Sequence, residues 1–191
     1  MDRRTLLTGA MALGLAPTGA KAAETSDLRR AARDAFFYVL PLIEMGQARQ
    51  RMLAGPGADQ PAGINRFAHK RTLTDPSAHT ITTPNNDTLY SSAWVDLTQG
   101  PVTLTVPKTG SRYLSVAVMD MYTDNVAVLG IRTLGGDGGR FTLVGPRQAG
   151  GGPDVVRLDT SHGWLLARTL VDGEADLPAA HAVQDQILLT G

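Results

Sequence analysis

Apolar residues change their spacing along this 191-residue chain, and each change predicts a change of secondary structure. Over residues 28–43 they recur at three- and four-residue steps, as in Leu28, Ala31, Ala35, Phe36, Val39 and Ile43, which places them on one face of a helix. Thr25 or Ser26 is suited to cap its start, Pro41 is expected to kink or restart it, and Gly55-Pro56-Gly57 to end it. A helical segment is therefore predicted over residues 26–54. From about residue 80 the period falls to two. Val102-Leu104-Val106 and Leu114-Val116-Val118 alternate with polar neighbours, the mark of half-buried strands. Residues 89–97, 141–144, 155–158 and 164–170 read as further strands, with Thr74-Asp75-Pro76-Ser77 as a turn and Gly135-Gly136-Asp137-Gly138-Gly139 as a hairpin loop. Helical spacing returns in Leu177, Ala180, Val183 and Ile187, predicting a C-terminal helix over residues 176–189 that Asp176 caps. The class is mainly β with flanking helices (α+β).

Composition agrees. An apolar content of 42% can build one real core at this length, and Gly 21 with Pro 11 suits short strands and turns better than a helical bundle. Lys+Arg 18 against Asp+Glu 18, with no basic stripe interleaved with aromatics, excludes the footprint of a nucleic-acid binder. With Cys 0, disulfides, thiol nucleophiles and thiolate-ligated zinc are excluded as well. The four histidines form no His-Glu-x-x-His pattern.

The N-terminus carries an address. Arg3-Arg4 precede an apolar run over residues 6–16, too short to span a bilayer, and Ala20-Lys21-Ala22 supplies the small residues of a signal-peptidase site. Residues 1–22 are expected to be an export signal, twin-arginine-like in its paired arginines and glycine-diluted apolar run, with the general secretory route as the alternative. The mature chain, residues 23–191, is then a periplasmic or secreted single domain with no stable membrane anchor, slightly acidic once Arg3, Arg4, Lys21 and Asp2 are lost.

Candidate chemistry gathers at strand ends. Asn85, Asn86 and Asp87 are what a turn into the next strand contains, because such side chains bond their own backbone; alternatively they present amide and carboxylate groups to a ligand, with Tyr90 adding a ring and a hydroxyl. Arg112 follows a tight turn and could clamp a carboxylate if the fold brings it to Asp87 or Asp120. Asp120, Tyr122, Asp124 and Asn125 form a patch of oxygen ligands after an apolar strand. The spacing of a calcium loop with its closing Glu is missing, as is Gly-x-Ser-x-Gly, so neither a metal nor a cofactor is expected.

Several motifs in order, Thr83-Pro-Asn-Asn-Asp-Thr-Leu-Tyr90, Trp94-Val-Asp-Leu97, Gly110-Ser-Arg-Tyr113, Asp120-Met-Tyr122, Arg168-Thr-Leu-Val-Asp-Gly173 and Gln184-Asp-Gln186, resemble the signature of the domain-of-unknown-function 1254 family. The resemblance covers about residues 35–189. It implies an N-terminal helical segment followed by an antiparallel β-sandwich of jelly-roll type, here over residues 80–170, in exported bacterial proteins. It also implies a second β-rich domain downstream, domain-of-unknown-function 1214, which this chain is expected to lack. No reaction comes with the resemblance. The reading that follows is a periplasmic module binding a small polar or carbohydrate-like ligand through Asn85, Asn86, Asp87, Tyr90, Arg112, Asp120, Tyr122 and Asn125. The alternatives are a hydrolase using paired carboxylates, and a structural partner that docks a separately encoded domain or a second copy through an apolar patch.

Overall fold

The computed structural model describes residues 18–54, 63–74 and 85–191, and its first element is helix α1 (Thr18–Ala54). It begins earlier than predicted. Ala20, Lys21, Ala22, Ala23 and Glu24 are good helix formers, so Thr25 and Ser26 lie inside the helix rather than at its start. The helix also runs through Pro41 without a restart. The chain divides there into two compact units, Met1–Leu40 and Pro41–Gly191. Within the first, Leu28, Phe36, Phe37 and Tyr38 are exposed. Most of the expected export signal, the Gly-Pro-Gly stop, the turn at Pro76 and the motif's Thr83-Pro84 lie outside the described residues.

The second unit holds, in chain order, β1 (Ala68–His69), β2 (Thr88–Asp96), β3 (Val102–Val106), β4 (Leu114–Asp120), β5 (Asn125–Gly130), α2 (Ile131–Leu134), β6 (Gly139–Val144), β7 (Val155–Arg157), β8 (His162–Leu170), α3 (Leu177–Gln184) and β9 (Leu188–Thr190). They form a five-stranded sheet in the order β1-β2-β8-β4-β5 and a four-stranded sheet in the order β7-β6-β3-β9. Ala93, Val95, Val116 and Leu165 of the first sheet and Leu104 and Leu143 of the second join one buried cluster, so the sheets pack face to face as a sandwich. Each such Val or Leu side chain contributes about 1.5–3 kcal/mol by leaving water.

Three expectations are corrected. The sandwich is not wholly antiparallel, since β7 runs parallel to β6. The glycine loop is not a hairpin: β5 and β6 belong to different sheets, and the loop crosses between them. Gly136 (φ 83°) suits that crossing, because a Cβ there would lie 2.0 Å from the carbonyl oxygen of Gly110. Third, the C-terminal helix ends at Gln184, after which Leu188–Thr190 pair with β3. A short apolar run reads equally as helix or strand, and here the open edge of β3 satisfies its backbone.

On the outer face of the five-stranded sheet, Trp94 is fully buried and stacks on Trp164, ring centroids 5.7 Å apart. Its indole N–H donates to Met52 Sδ at 3.4 Å, so the last turns of α1 cover this part of the sheet. No helix among the described residues is long and apolar enough to cross a membrane.

Candidate functional site

Strand register decides which predicted residues can meet. Leu114 lies opposite Thr169 and Thr88 opposite Leu170 at one end of the sheet, whereas Asp120 lies opposite Gly163 at the other. The length of β4 sets these ends about 20 Å apart. Asp87 and Arg112 belong to the first end, Asp120 and Tyr122 to the second, and no single cleft collects Asp87, Arg112 and Asp120.

Most of these side chains have local work. Asn85 Oδ1 accepts the backbone N–H groups of Asp87 (2.9 Å) and Thr88 (3.1 Å), closing the turn into β2. Asn86 and Asp87 are exposed, and the Asp87 carbonyl accepts the N–H of Val171. Asp120 is buried, and its Oδ1 accepts the N–H groups of Tyr122 (2.8 Å) and Asp124 (3.1 Å), bending the chain from β4 toward β5. Arg112 pairs with neither Asp87 nor Asp120. It grips Asp176 with both terminal nitrogens, at 2.5 and 2.6 Å, and donates from Nη1 to the Leu170 carbonyl at 2.7 Å. Asp176 consequently makes no side-chain cap on α3. The guanidinium, with the N–H of Asp172, holds the Asp176 carboxyl well below its ordinary 3.8.

Tyr90 and Asn125 fall elsewhere, on the outer face. A cross-strand row runs Tyr90, Arg168, Ser115, Gly130 over β2, β8, β4 and β5. Its neighbours along the strands, Leu114, Val116 and Ala167, are core residues, so alternation turns the row outward. The Arg168 guanidinium lies 5.5 Å from the centre of the Tyr90 ring, a cation–π contact. Between β4, β5 and α2 lies a groove of about 300 Å³, lined by Tyr113, Ser115, Asn125, Arg132 and Arg168 over the apolar Ala117 and Val128. Thr133 Oγ1 accepts the N–H of Gly130 (3.0 Å) and donates to the carbonyl of Val128 (2.9 Å), folding α2 back as the groove wall. No Asp or Glu among the described residues lines the groove. Among the described residues, neither Arg132 nor Arg168 has a carboxylate partner. Sequence reasoning passed over both arginines. Arg168 stood at the head of a quoted family motif, but Arg132 carries no local signal.

A second polar cluster also escaped it. Gln184 is fully buried at the end of α3; its amide reaches the carbonyls of Lys70 (3.2 Å) and Tyr90 (3.3 Å) and Ser91 Oγ (3.1 Å), while Arg71 Nη1 donates to its Oε1. Arg71 also pairs with Asp185, and His181 Nε2 meets the Arg71 carbonyl at 2.7 Å. His69 shares a hydrogen bond with Ser91 Oγ at 2.8 Å. Burial, reinforced by Arg71 and opposed by Asp185, lowers the His69 pKa from 6.5 to about 4, so the ring is neutral at pH 7. Ser91 is fully buried, so this histidine–serine pair braces the fold rather than presenting a nucleophile. No group of three or more metal-ligating side chains occurs among the described residues.

Comparison with known proteins places this arrangement. A crystal structure of the VPA0106 protein from Vibrio parahaemolyticus is similar over 66% of this chain and 30% of its own, with 29% identity and a TM-score of 0.55. An uncharacterised protein from Burkholderia cenocepacia aligns over 75% of this chain and 38% of its own, at 22% identity and a TM-score of 0.39. The chain thus spans about a third of the length of these solved structures. No curated protein matches it. Residues 64–191 match the family model described as protein of unknown function DUF1254, a span that takes in both sheets, the groove and the Gln184 cluster. The chain belongs to the DUF1254 family of proteins of unknown function.

Proposed function

We propose that this chain is a ligand-binding β-sandwich module of an exported, periplasmic protein, taking a small polar molecule in the groove beside β4, β5 and α2. One observation carries the reading: an outward row of polar side chains, held in register by three strands, meets a concave wall formed by α2. Side chains on paired strands are held rigidly, and few convergent polar groups over an apolar floor are what small-molecule sites share. Of the predicted ligand residues, the proposal keeps Asn125 in the wall and Tyr90 beneath Arg168. The described residues of the groove include no carboxylate to form an acid–base pair, which supports binding over hydrolysis. Export is supported by Arg3-Arg4, the short apolar run and Ala20-Lys21-Ala22. Amide chemical-shift mapping with a panel of small polar molecules tests the site. Shifts should cluster at Ser115, Ala117, Val128 and Gly130; a panel that leaves all four silent would remove it.

A second reading, docking of another chain or a second copy, is favoured by the exposure of Phe36 and Phe37. Light scattering of the mature protein at micromolar concentration, against a Phe36→Ser, Phe37→Ser variant, tests self-association. An identical monomer mass for both would count against a second copy.

A further inference from the structure

Resting on the groove just proposed as the binding site, we infer that its ligand is a small organic anion, a carboxylate on a short apolar body. The donor and acceptor inventory points there. Arg132 and Arg168 bring guanidinium groups, which only donate, and no carboxylate among the described lining residues balances them. The Tyr113 hydroxyl donates to Ser115 Oγ at 3.1 Å, which leaves the Ser115 hydroxyl hydrogen free to donate outward. The Asn125 amide adds two further donors at the rim, beside its own carbonyl acceptor. Such a wall is matched by an acceptor-only group, and two uncompensated positive charges in a concave surface concentrate field on an anion. Arg168 is set for that task. Tyr90 supports it from the next strand by its ring face, with no charge neutralised, so the planar fork remains available for bidentate contact with a carboxylate.

Two further features narrow the class. Ala117 and Val128 form an apolar floor with nothing to offer a fully polar ion such as phosphate, but they would cover a ring or short alkyl chain. The volume of about 300 Å³ lies at the small end of ligand pockets. The formal net charge is +0 for the full sequence and slightly negative once residues 1–22 are removed, so attraction of an anion must come from this local pair rather than from the molecule as a whole.

Benzoate, its neutral isostere benzamide, inorganic phosphate and glucose are the probes, titrated into isotopically labelled mature protein and followed at the amides of Ser115, Ala117, Val128 and Gly130. Benzoate should bind there, with benzamide and phosphate each weaker by about tenfold or more, since a charge-assisted pair and an apolar contact are each lost in turn. Arg168→Gln and Arg132→Gln should each weaken benzoate by about tenfold and benzamide by less, since only benzoate loses a charge-assisted contact, with a dispersed spectrum showing that the variants are folded. Arg168→Lys should recover only part of the affinity, because it restores the charge without the fork. Equal binding of benzoate and benzamide, or benzoate affinity surviving the double Gln variant, overturns the anion while leaving the groove a binding site. Phosphate binding as tightly as benzoate overturns the apolar body. Shifts with glucose alone overturn the anion as well, and groove amides silent to all four probes take down the binding site with it.

Discussion

A guanidinium needs a geometric match, and Arg112 finds it in Asp176 rather than in the carboxylates nearer in sequence. Its partner lies across the sandwich end, 64 residues on, and both side chains are mostly covered, at 22% and 19% exposure. Arg112→Ala should lower the melting temperature by several degrees, because it strips the counter-charge from Asp176 and the donor from the Leu170 carbonyl; a melting curve superimposable on wild type would show an idle pair. The sign of the pH dependence is fixed. Asp176 titrates lower in the folded than in the unfolded chain, so its stabilisation is complete above its ordinary 3.8 and is lost as pH falls below that value. Urea midpoints should therefore fall below about pH 4 in wild type and fall less in Arg112→Ala. His69 works in a separate window. Its folded pKa of about 4 against 6.5 means that the unfolded chain binds more protons between these values, so stability should decline as pH drops from 6.5 toward 4. His69→Gln should flatten that limb and spare the more acid one, as urea midpoints at about pH 7, 5, 4 and 3 would show.

Single elements are fastened by contacts that their own sequence does not announce. Helix α3 is short, and Gln184 at its end ties it to the Lys70 carbonyl beside β1 and to Tyr90 and Ser91 of β2. Gln184→Leu keeps the bulk but leaves buried acceptors bare, which should cost about 1–3 kcal/mol in urea unfolding. At the junction of β5 and α2, a Cβ on Gly130 would stand 2.0 Å from the Leu114 carbonyl oxygen and 2.8 Å from the Ser115 Cα, both backbone atoms that cannot swing away. Its φ of 167° is extended, so the conflict is steric rather than torsional. Gly130→Ala should cost about 1–3 kcal/mol and disturb the groove wall, visible as amide shifts spreading into Ser115 and Thr133. The helix at the start and the strands at the centre were legible in their periodicity. The boundary of α3 and the strand after it were not, because Ile187-Leu188-Leu189 is too short to carry a period and pairing with β3 settled it.

For the whole molecule, the export reading makes one measurable demand. Intact-mass analysis of protein recovered from the periplasm should give a chain beginning at Ala23, since Ala20-Lys21-Ala22 supplies small residues at the positions a signal peptidase reads. Recovery of the exported protein with residues 1–22 attached would sink the cleavage and the address together. The same scale explains why the candidate site was only half foreseen. Asn125 and Tyr90 were visible as polar residues at strand ends, yet Arg132 and Arg168 were needed to make a surface of them, and they come from a short helix and a strand late in the chain.

Composition and periodicity were enough to determine a mainly β class with flanking helices, without thiols or a basic stripe, because those properties are sums or repeats over neighbouring residues. The order of the motifs pointed to the family for the same local reason. Only tertiary structure decided that Arg112 serves Asp176, that Asp120 serves its own turn, and that Arg168 faces a groove whose described lining holds no carboxylate. Pairings of that kind depend on which strands lie side by side and in what register, and register is set by long-range packing of two sheets on one core.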